Sequence, residues 1–524
     1  MTIHNPKILY FHMEYPPILG GGASYTKNLI SELNKLQAQI ILVTNGLSDS
    51  LEKVNTYLTI KRYKVFYDMY YGKGSLLQGV DILLQQIREE SPDILHTVYI
   101  EETLIGQIAN LNYGIPHIVT HTKTPMYREE SIKKNSTWSL FDYVNRNISV
   151  TYIAPGIAYR DSLLGSGVEN DSIHLIYPGI DQNKFKKIRD SRPLCQMRKR
   201  LNIEFHDSVL LIPCRLRKRK GLNFVSEALS KLSVPNHNIK VIITGIPEDQ
   251  EEHLIYQDFK NRIGNIKVVE HTKFSDEDMP ILYNIADITV LCSEAEGYGT
   301  VFLEAMACEC PVIGSDVIGI NESIKNGYNG ILCKYGDHNS LNNAILKILT
   351  DEKTRKRYTR NALSFFKTKR NLRKQAKSHL KLYKAVCNHN QQSTFALYRS
   401  VNNHEEVYLL KQEKSVYSLP KIPKKTNESW LQATIKAVWK NTGYKVTIPS
   451  HLILDKTDKK NFSYSFKITT DTPHIDSDAD EGNSGMWLDL RKTTRLVASK
   501  NDKNILQQLE FNLRNDRLVK QGNL

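Results

Sequence analysis

The chain has 524 residues, a length that suggests roughly three to four domains of about 150 residues each. Apolar residues make up 40% and charged residues 24%, a globular balance that excludes an extended disordered chain. Lys and Arg number 71 against 56 Asp and Glu; this net charge of +15 points to anionic partners such as phosphates, nucleotides or acidic surfaces without choosing among them.

Up to about Thr350, short apolar runs alternate with segments of helical period. Residues 7–13 read as a strand, 23–36 as a helix and 40–45 as a second strand, with further strands at 93–100, 117–121 and 150–154. A second series begins at 209–216 and continues through 240–245, 266–271, 288–293, 311–316 and 330–333. Continuous apolar strands separated by helices imply parallel sheets covered on both faces. Two such series, meeting near 180–200, imply two facing Rossmann-like domains, 1–185 and 186–352. The polar, basic stretch from Lys186 to Arg200 reads as the hinge. Residues 353–388 form a basic helical segment: 353–384 holds thirteen Lys or Arg and no acid, interrupted by Phe365, Phe366, Leu372, Leu380, Leu382 and Tyr383. Residues 389–524 change to a mixed α+β pattern, with strands at 407–412, 464–470 and 486–490 and a helix over 430–442.

Seven cysteines are too few for a disulfide scaffold, and Cys214, Cys292, Cys308 and Cys333 lie in apolar runs where a thiol packs as a small hydrophobe. A reducing cytoplasm is therefore expected. The first residues carry no basic leader with a long apolar stretch, and no run approaches the roughly 20 apolar residues of a membrane span. A signal peptide is not expected.

Three constellations carry chemistry. In SEAEGYGTVFLEAMACECPVIGSD (293–316), Glu296 lies in a loop after a strand and Glu304 one to two turns into the next helix. Gly297 and Gly299 permit close backbone approach, and a helix starting near Thr300 offers free N–H groups to phosphate or sugar oxygens. Carboxylates beside such a site suit hydroxyl-rich ligands. On spacing alone, an N-capped helix with solvated acids fits equally well. In CRLRKRKGL (214–222), Arg215 and Lys220 occupy a strand-to-helix turn, where two cations can neutralise a diphosphate; a solvated basic loop is the alternative. The turn 15–22 carries Gly20, Gly21 and Gly22. It lacks the GxGxxG spacing and a following Gly-Lys-Ser/Thr, which disfavours a dinucleotide or Walker-type site. No Cys/His ligand spacing for a metal occurs.

Together, YPP…GG (15–22), IYPGID (176–181), R…KG (215–221), EGYGTVFLEAMA…PVIGSD…G…E (296–322) and NGYNGIL (326–332) resemble the retaining glycosyltransferase family 4, whose two-domain fold is called GT-B. The resemblance covers roughly 7–385. It implies that Arg215 and Lys220 hold the donor diphosphate and that Glu304 binds the nucleotide ribose. It implies that Glu296 contacts the donor sugar, that the amides at Gly299 and Thr300 hold sugar hydroxyls or phosphate, and that Gly21 and Gly22 lie near the donor phosphates. His121, at the end of the run HIVTH, matches the family's active-site histidine near the transferred sugar. Glu309, where the family usually has Gly, and Ile318 and Asn321 depart from the pattern and bear on donor preference. The resemblance also implies retention of configuration, a nucleotide-sugar as substrate, and no cofactor or metal. The acceptor is unnamed, be it glycan, lipid, protein or small molecule; nucleic acid is not expected. A non-catalytic sugar-nucleotide-binding or scaffold protein of the same fold is the rival reading.

Residues 407–446 are similar to a Nudix domain through the Leu419-Pro420 turn, Glu428 and Gly443-Tyr444, with Trp487 fitting a later strand. Ala437, Lys440 and Asn441 stand where that family has metal-binding glutamates, Lys436 replaces Arg and Ile422 replaces Gly. This implies a degenerate Nudix-like module without the Mg²⁺ chemistry that clustered carboxylates support. The acid-free basic segment 353–384 calls for an anionic counterpart: an anionic membrane surface, a phosphorylated acceptor, or the acidic loop 476–481.

Overall fold

The computed structural model describes residues 5–18, 20–110, 113, 115–121, 150–234, 238–264, 266–270 and 273–389. Beyond these it describes only the C-terminal strands named below and residues 506, 507 and 509.

The first sheet has eight strands, β1 (Lys7–His12), β2 (Gln39–Asn45), β3 (Ser50–Lys53), β4 (Leu58–Tyr63), β5 (Ile94–Val98), β6 (His117–Thr120), β7 (Val150–Ala154) and β8 (Ile173–Leu175), in the order β3-β4-β2-β1-β5-β6-β7-β8. All pair in parallel except β3, which runs antiparallel to β4. Successive residues of β1 feed opposite faces, as the two-residue period requires. Ile8 and Tyr10 join one core layer, and Leu9 and Phe11 the other. Among the described residues its helices are α1 (Gly21–Lys35), α2 (Lys64–Tyr70), α3 (Leu76–Glu90), α4 (Ile100–Asn110) and α5 (Ile157–Gly165).

The second sheet has six parallel strands, β9 (Asp207–Ile212), β10 (Asn238–Ile243), β11 (Lys267–Val268), β12 (Ile288–Leu291), β13 (Val312–Ser315) and β14 (Ile331–Cys333), in the order β11-β10-β9-β12-β13-β14. Its helices are α6 (Ser191–Arg200), α7 (Leu222–Ser230), α8 (Gln250–Arg262), α9 (Asp278–Ile285), α10 (Thr300–Ala307), α11 (Ile320–Ser323) and α12 (His338–Thr350). All six residues of β9 are buried, which is why the strand reads as one apolar run.

The expected hinge needs correction. Residues 191–200 form α6, whose first turn is capped by the Asp190 side chain accepting from Arg192 N, and α6 packs on α9. The connection from the first sheet is made instead around Ile180. There it meets the returning chain: Ile180 N donates to Arg370 O at 3.1 Å and Leu372 N to Ile180 O at 3.1 Å.

The basic segment forms two helices, α13 (Glu352–Lys369) and α14 (Leu372–His389). On α13, Thr354, Tyr358, Ala362 and Phe366 recur every four residues and are buried, and the helix packs against α10 and α12. Helix α14 crosses to α1 and sends Ala376, Leu382 and Tyr383 into the core of the first sheet, with Leu380 packed beside them. Most Lys and Arg of both helices face solvent; Arg370 turns inward. No helix among the described residues is long and apolar enough to cross a membrane.

The C-terminal strands β15 (Gln392–Val401), β16 (His404–Lys411), β17 (Tyr417–Ser418), β18 (Lys421–Pro423), β19 (His451–Leu454), β20 (Phe462–Lys467) and β21 (Gly485–Asp489) form a third, mixed sheet. Ile422 lies in β18 and Trp487 in β21. The helix expected over 430–442, the positions Leu419, Pro420, Glu428, Lys436, Ala437, Lys440, Asn441, Gly443 and Tyr444, and the acids 476–481 lie outside the described residues.

Candidate active site

In both parallel sheets the strand order reverses beside the first strand, between β1 and β5 and between β9 and β12. Loops leaving the carboxyl ends of strands at such a reversal form a ligand crevice. Here they are 13–22 and the start of α4 on one side, and 213–221 and 292–300 on the other.

The turn after β1 is held by neighbouring side chains. Asn45 Nδ2 donates to the carbonyls of Met13 (2.7 Å) and Tyr15 (2.6 Å), Arg62 Nη1 donates to Pro16 O (2.7 Å), and Met13 N donates to Glu102 Oε1 (3.0 Å). Glu14 is 8% exposed and accepts from the Tyr99 hydroxyl at 2.6 Å. Its carboxylate occupies the space that side chains at Gly20 and Gly22 would need. A β-carbon at Gly22 would stand 2.6 Å from Glu14 Oε2 and collide with the Tyr99 hydroxyl. Gly21 faces open space at the uncapped start of α1. The glycines thus divide: Gly20 and Gly22 make room for Glu14, and only Gly21 leaves backbone open to a ligand. A β-carbon at Gly20 would also lie 3.3 Å from Arg215 Nη2, so the Arg215 guanidinium reaches the glycine turn from the second domain.

On that side, the turn Lys218–Lys220 ends at Gly221, whose φ of +67° and closeness to the Cys292 carbonyl leave no room for a side chain. This places Lys220 Nζ on Glu296 Oε1. The same carboxylate accepts from Ser293 Oγ at 2.6 Å, and Arg219 Nη1 stands 3.9 Å from Oε2. The Lys220 and Glu296 side chains are 13% and 11% exposed, so the pair is held in a partly dry setting but still opens to the crevice. Gly299 adopts a left-handed cap with φ +66° and no side-chain cap, which leaves the first amides of α10 free of side-chain acceptors. One turn further, Glu304 Oε2 accepts from the Tyr283 hydroxyl at 2.7 Å. Burial pushes the Glu304 carboxyl up to about 7, against the opposing pull of that hydrogen bond.

His121 directly follows β6, is buried, and meets the Tyr159 ring edge-on at 6.0 Å. The Tyr159 hydroxyl in turn fills the space over Gly297. The structure therefore gathers Arg215, Lys220, Glu296, Gly299, Thr300 and Glu304 at one sheet edge, with Gly21 opposite and His121 behind Tyr159. Glu309 lies at the far end of α10 with φ +60°, a left-handed position that glycine takes more easily, so its departure from the family pattern belongs to a helix end. Sequence reasoning missed Glu14, Tyr159, Tyr283 and Ser293. Glu14 and Ser293 had a local signal, each being adjacent to or within a marked segment; the two tyrosines had none. Among the described residues, no group of three or more His, Cys, Asp or Glu forms a metal-type cluster.

Residues 196–365 match the model for glycosyl transferases group 1, and residues 19–184 match that for glycosyltransferase family 4. The chain is 27% identical over 361 residues to N-acetyl-alpha-D-glucosaminyl L-malate synthase of Bacillus anthracis, covering 64% of this chain and 86% of that one. It is 24% identical over 380 residues to mannosylfructose-phosphate synthase of Agrobacterium fabrum, covering 66% and 83%. Among solved structures, sucrose-phosphate synthase from Thermosynechococcus elongatus superposes with a TM-score of 0.62 at 18% identity, covering 73% of this chain and 99% of that one. Anabaena HepE, solved with UDP and glucose, superposes with a TM-score of 0.58 at 20% identity, covering 72% and 100%. These likenesses show the fold, and the domain matches carry the activity. The chain thus joins a family 4 half to a group 1 half in the GT-B arrangement, and it is a glycosyltransferase.

Proposed function

We propose that this enzyme moves a sugar from a nucleoside-diphosphate sugar to an acceptor hydroxyl, with retention of configuration and without a bound metal. The observation that carries the reading is the Lys220–Glu296 ion pair beside the open start of α10, with Glu304 one turn into that helix and the Arg215 guanidinium reaching the glycine turn opposite. Glu304 accepts hydrogen bonds from the ribose, and Glu296 and the amides at Gly299 and Thr300 hold the sugar. Arg215 and Lys220 supply the positive charge that the departing diphosphate needs. Lys220 is already close to Glu296, so donor binding turns one ion pair into a shared contact with phosphate. The bond from the anomeric carbon to the diphosphate oxygen breaks, and its electron pair stays on the diphosphate. The acceptor oxygen bonds to that carbon from the same face, and its proton passes to the departing diphosphate oxygen. Gly21 opens the opposite wall to the phosphates, and His121 acts near the transferred sugar. The domain assignments 1–185, 186–352, 353–388 and 389–524 fit this division of labour, with closure about Ile180 and Asn371 excluding water.

UDP, found in the structure of HepE, is the first nucleotide to test. A nucleotide sugar at 100 times its dissociation constant stabilises its protein by about 2.7 kcal/mol, so a thermal-shift screen finds the donor. Product formation then separates transfer from mere binding. Lys220→Ala is expected to lose about 1.5–3 kcal/mol of transition-state stabilisation; kcat/KM equal to wild type would overturn the assignment.

The cytoplasmic side of a membrane suits the outward basic face of α13 and α14, where each charge near an anionic surface contributes about 1 kcal/mol. Salt-sensitive pelleting with anionic but not neutral vesicles tests this. The last 136 residues we read as a degenerate Nudix-like module for binding or assembly, the likeness described above being its support. Mg²⁺-dependent pyrophosphatase activity in the full chain would contradict that reading.

A further inference from the structure

Arg370 stands where the chain returns from the second domain to the first, between α13 and α14. Its backbone carbonyl accepts from Ile180 N, so it lies on the seam between the two connections. Its guanidinium turns away from the basic surface. It sits 3.8 Å from the centre of the Tyr177 ring, 5.0 Å from that of Phe365 and 5.6 Å from that of Tyr298, and its Nε donates to the Tyr298 hydroxyl. Tyr177 precedes the crossing in sequence, and its ring packs on the core of the second sheet and against the Tyr298 ring, 5.4 Å between centres. Tyr298 lies inside the loop that bears Glu296, between the two glycines Gly297 and Gly299.

The same loop is tied to the first domain from a second direction. Ser323 Oγ donates to Tyr298 O at 2.7 Å. The adjacent Glu322 accepts from Ile157 N at 2.7 Å and Ala158 N at 3.3 Å, so a carboxylate of the second domain caps the start of α5 in the first. The Tyr159 hydroxyl, one residue on, covers Gly297. Both connections between the domains, the one through Tyr177 and the one through Arg370, thus meet on Tyr298, so rotation at the crossing bears on the loop that holds it.

We propose that Arg370 is a positioning residue: it couples the relative orientation of the two domains to the shape of the loop 296–300. It acts through Tyr298 and touches no substrate. The proposal rests on the donor reading only in that this loop is the one assigned to the donor.

Amide hydrogen exchange on the ligand-free full chain tests it without any substrate. In Arg370→Ala, the amides of 157–158 and 297–303 are expected to exchange about tenfold faster than in wild type, while β9 and β10 stay unchanged. Arg370→Lys keeps a cation over Tyr177 and should fall between the two. Tyr298→Phe removes the hydroxyl acceptor. If the pair acts as one unit, Arg370→Ala combined with Tyr298→Phe exchanges no faster than Arg370→Ala alone. Unchanged exchange in 157–158 and 297–303, acceleration spread equally into β9 and β10, or additive effects in the double variant would each overturn the proposal. A kinetic arm with UDP and UDP-glucose adds the functional readout. UDP affinity should stay within about threefold of wild type, because Arg215, Lys220 and Glu304 are untouched, while kcat for UDP-glucose hydrolysis, with water taking the glucosyl group and UDP leaving, falls about tenfold. Wild-type protein that binds no UDP would count against UDP as the nucleotide, and the exchange arm would still decide the proposal.

Discussion

Replacing Glu304 by Gln should make the protein more stable and a worse enzyme. The change keeps the volume of the side chain and a carbonyl to accept from Tyr283, and it removes only the charge. Burial lifts the Glu304 carboxyl from its ordinary 4.5 to about 7. Between these values the folded chain binds more protons than the unfolded one, so this group's contribution falls as pH rises through that window. The displacement corresponds to at most about 3 kcal/mol of cost above pH 7, and somewhat less because the residue is half-buried rather than sealed. Glu304→Gln is therefore expected to melt higher than wild type at pH 8 and to match it near pH 4. Binding moves the other way. On the proposed donor reading, ribose hydroxyls donate to the ionised carboxylate, and loss of charge-assisted hydrogen bonds of about 1.5–3 kcal/mol is expected to weaken nucleotide affinity roughly 10- to 150-fold. Wild-type affinity for UDP should also fall about tenfold from pH 8 to pH 6, as the ionised fraction drops across a carboxyl near 7, while the variant stays flat. Calorimetric titration of UDP at the two pH values, with melting curves beside it, tests both arms. A variant that melts lower than wild type at pH 8, or binds UDP as tightly as wild type, refutes the reasoning.

The glycine turn separates two roles: Gly22→Ala should destabilise by about 1–3 kcal/mol through its clash with Glu14 and Tyr99. Gly21→Ala should leave the melting temperature unchanged and lower kcat/KM for the nucleotide sugar; equal behaviour of the two variants would contradict the division. Acid should loosen the first domain. Burial holds His117 at about 3 and His379 at about 4, below the ordinary 6.5, so the unfolded chain takes up protons first as pH falls. Each then costs about 2 kcal/mol by pH 5, with no loss above about pH 6.5, and urea midpoints of wild type and His379→Gln at pH 7 and pH 5 check the slope. Glu309→Gly relieves the left-handed φ of +60° and should add roughly 0.5–1 kcal/mol without altering UDP affinity, since it sits at the opposite end of α10 from Thr300.

What was legible in the sequence was whatever a short window encodes. Strands β9, β10, β12 and β13 are continuous apolar runs because both faces of their sheet are covered, and the reading found each of them with ends that differ by only a few residues. Strand β3 escaped notice because all four of its residues are exposed and it holds on only by pairing with β4 at a sheet edge. Helix α6 reads as a hinge in sequence for a related reason: within it only Leu194 and Met197 face the core, too short a stripe among basic residues to announce a helix, and the Asp190 cap marks its start. The charged core of the site was legible because Glu296 and Glu304 share a loop and the helix that follows it, and Arg215 and Lys220 share one turn.

The residues that set the state of those groups lie elsewhere along the chain. Tyr283 reaches Glu304 from a different helix, 21 residues away, and it leaves the carboxyl in a setting where burial outweighs its hydrogen bond. Glu14 explains Gly20 and Gly22 better than a phosphate does, but its carboxylate meets them only after β1 and β5 pair and bring Tyr99 beside it. Arg370 is the extreme case. In sequence it is one cation among thirteen on a face that repels itself, and a solvated position is the natural reading. It turns inward because the chain crosses between domains at that residue, and the nearest acceptor there is the hydroxyl of Tyr298, 72 positions earlier. Periodicity and motif spacing describe neighbours along the chain. The contacts that tie the loop 296–300 to the seam between domains are made by residues that become neighbours only when both sheets and the returning helix are in place.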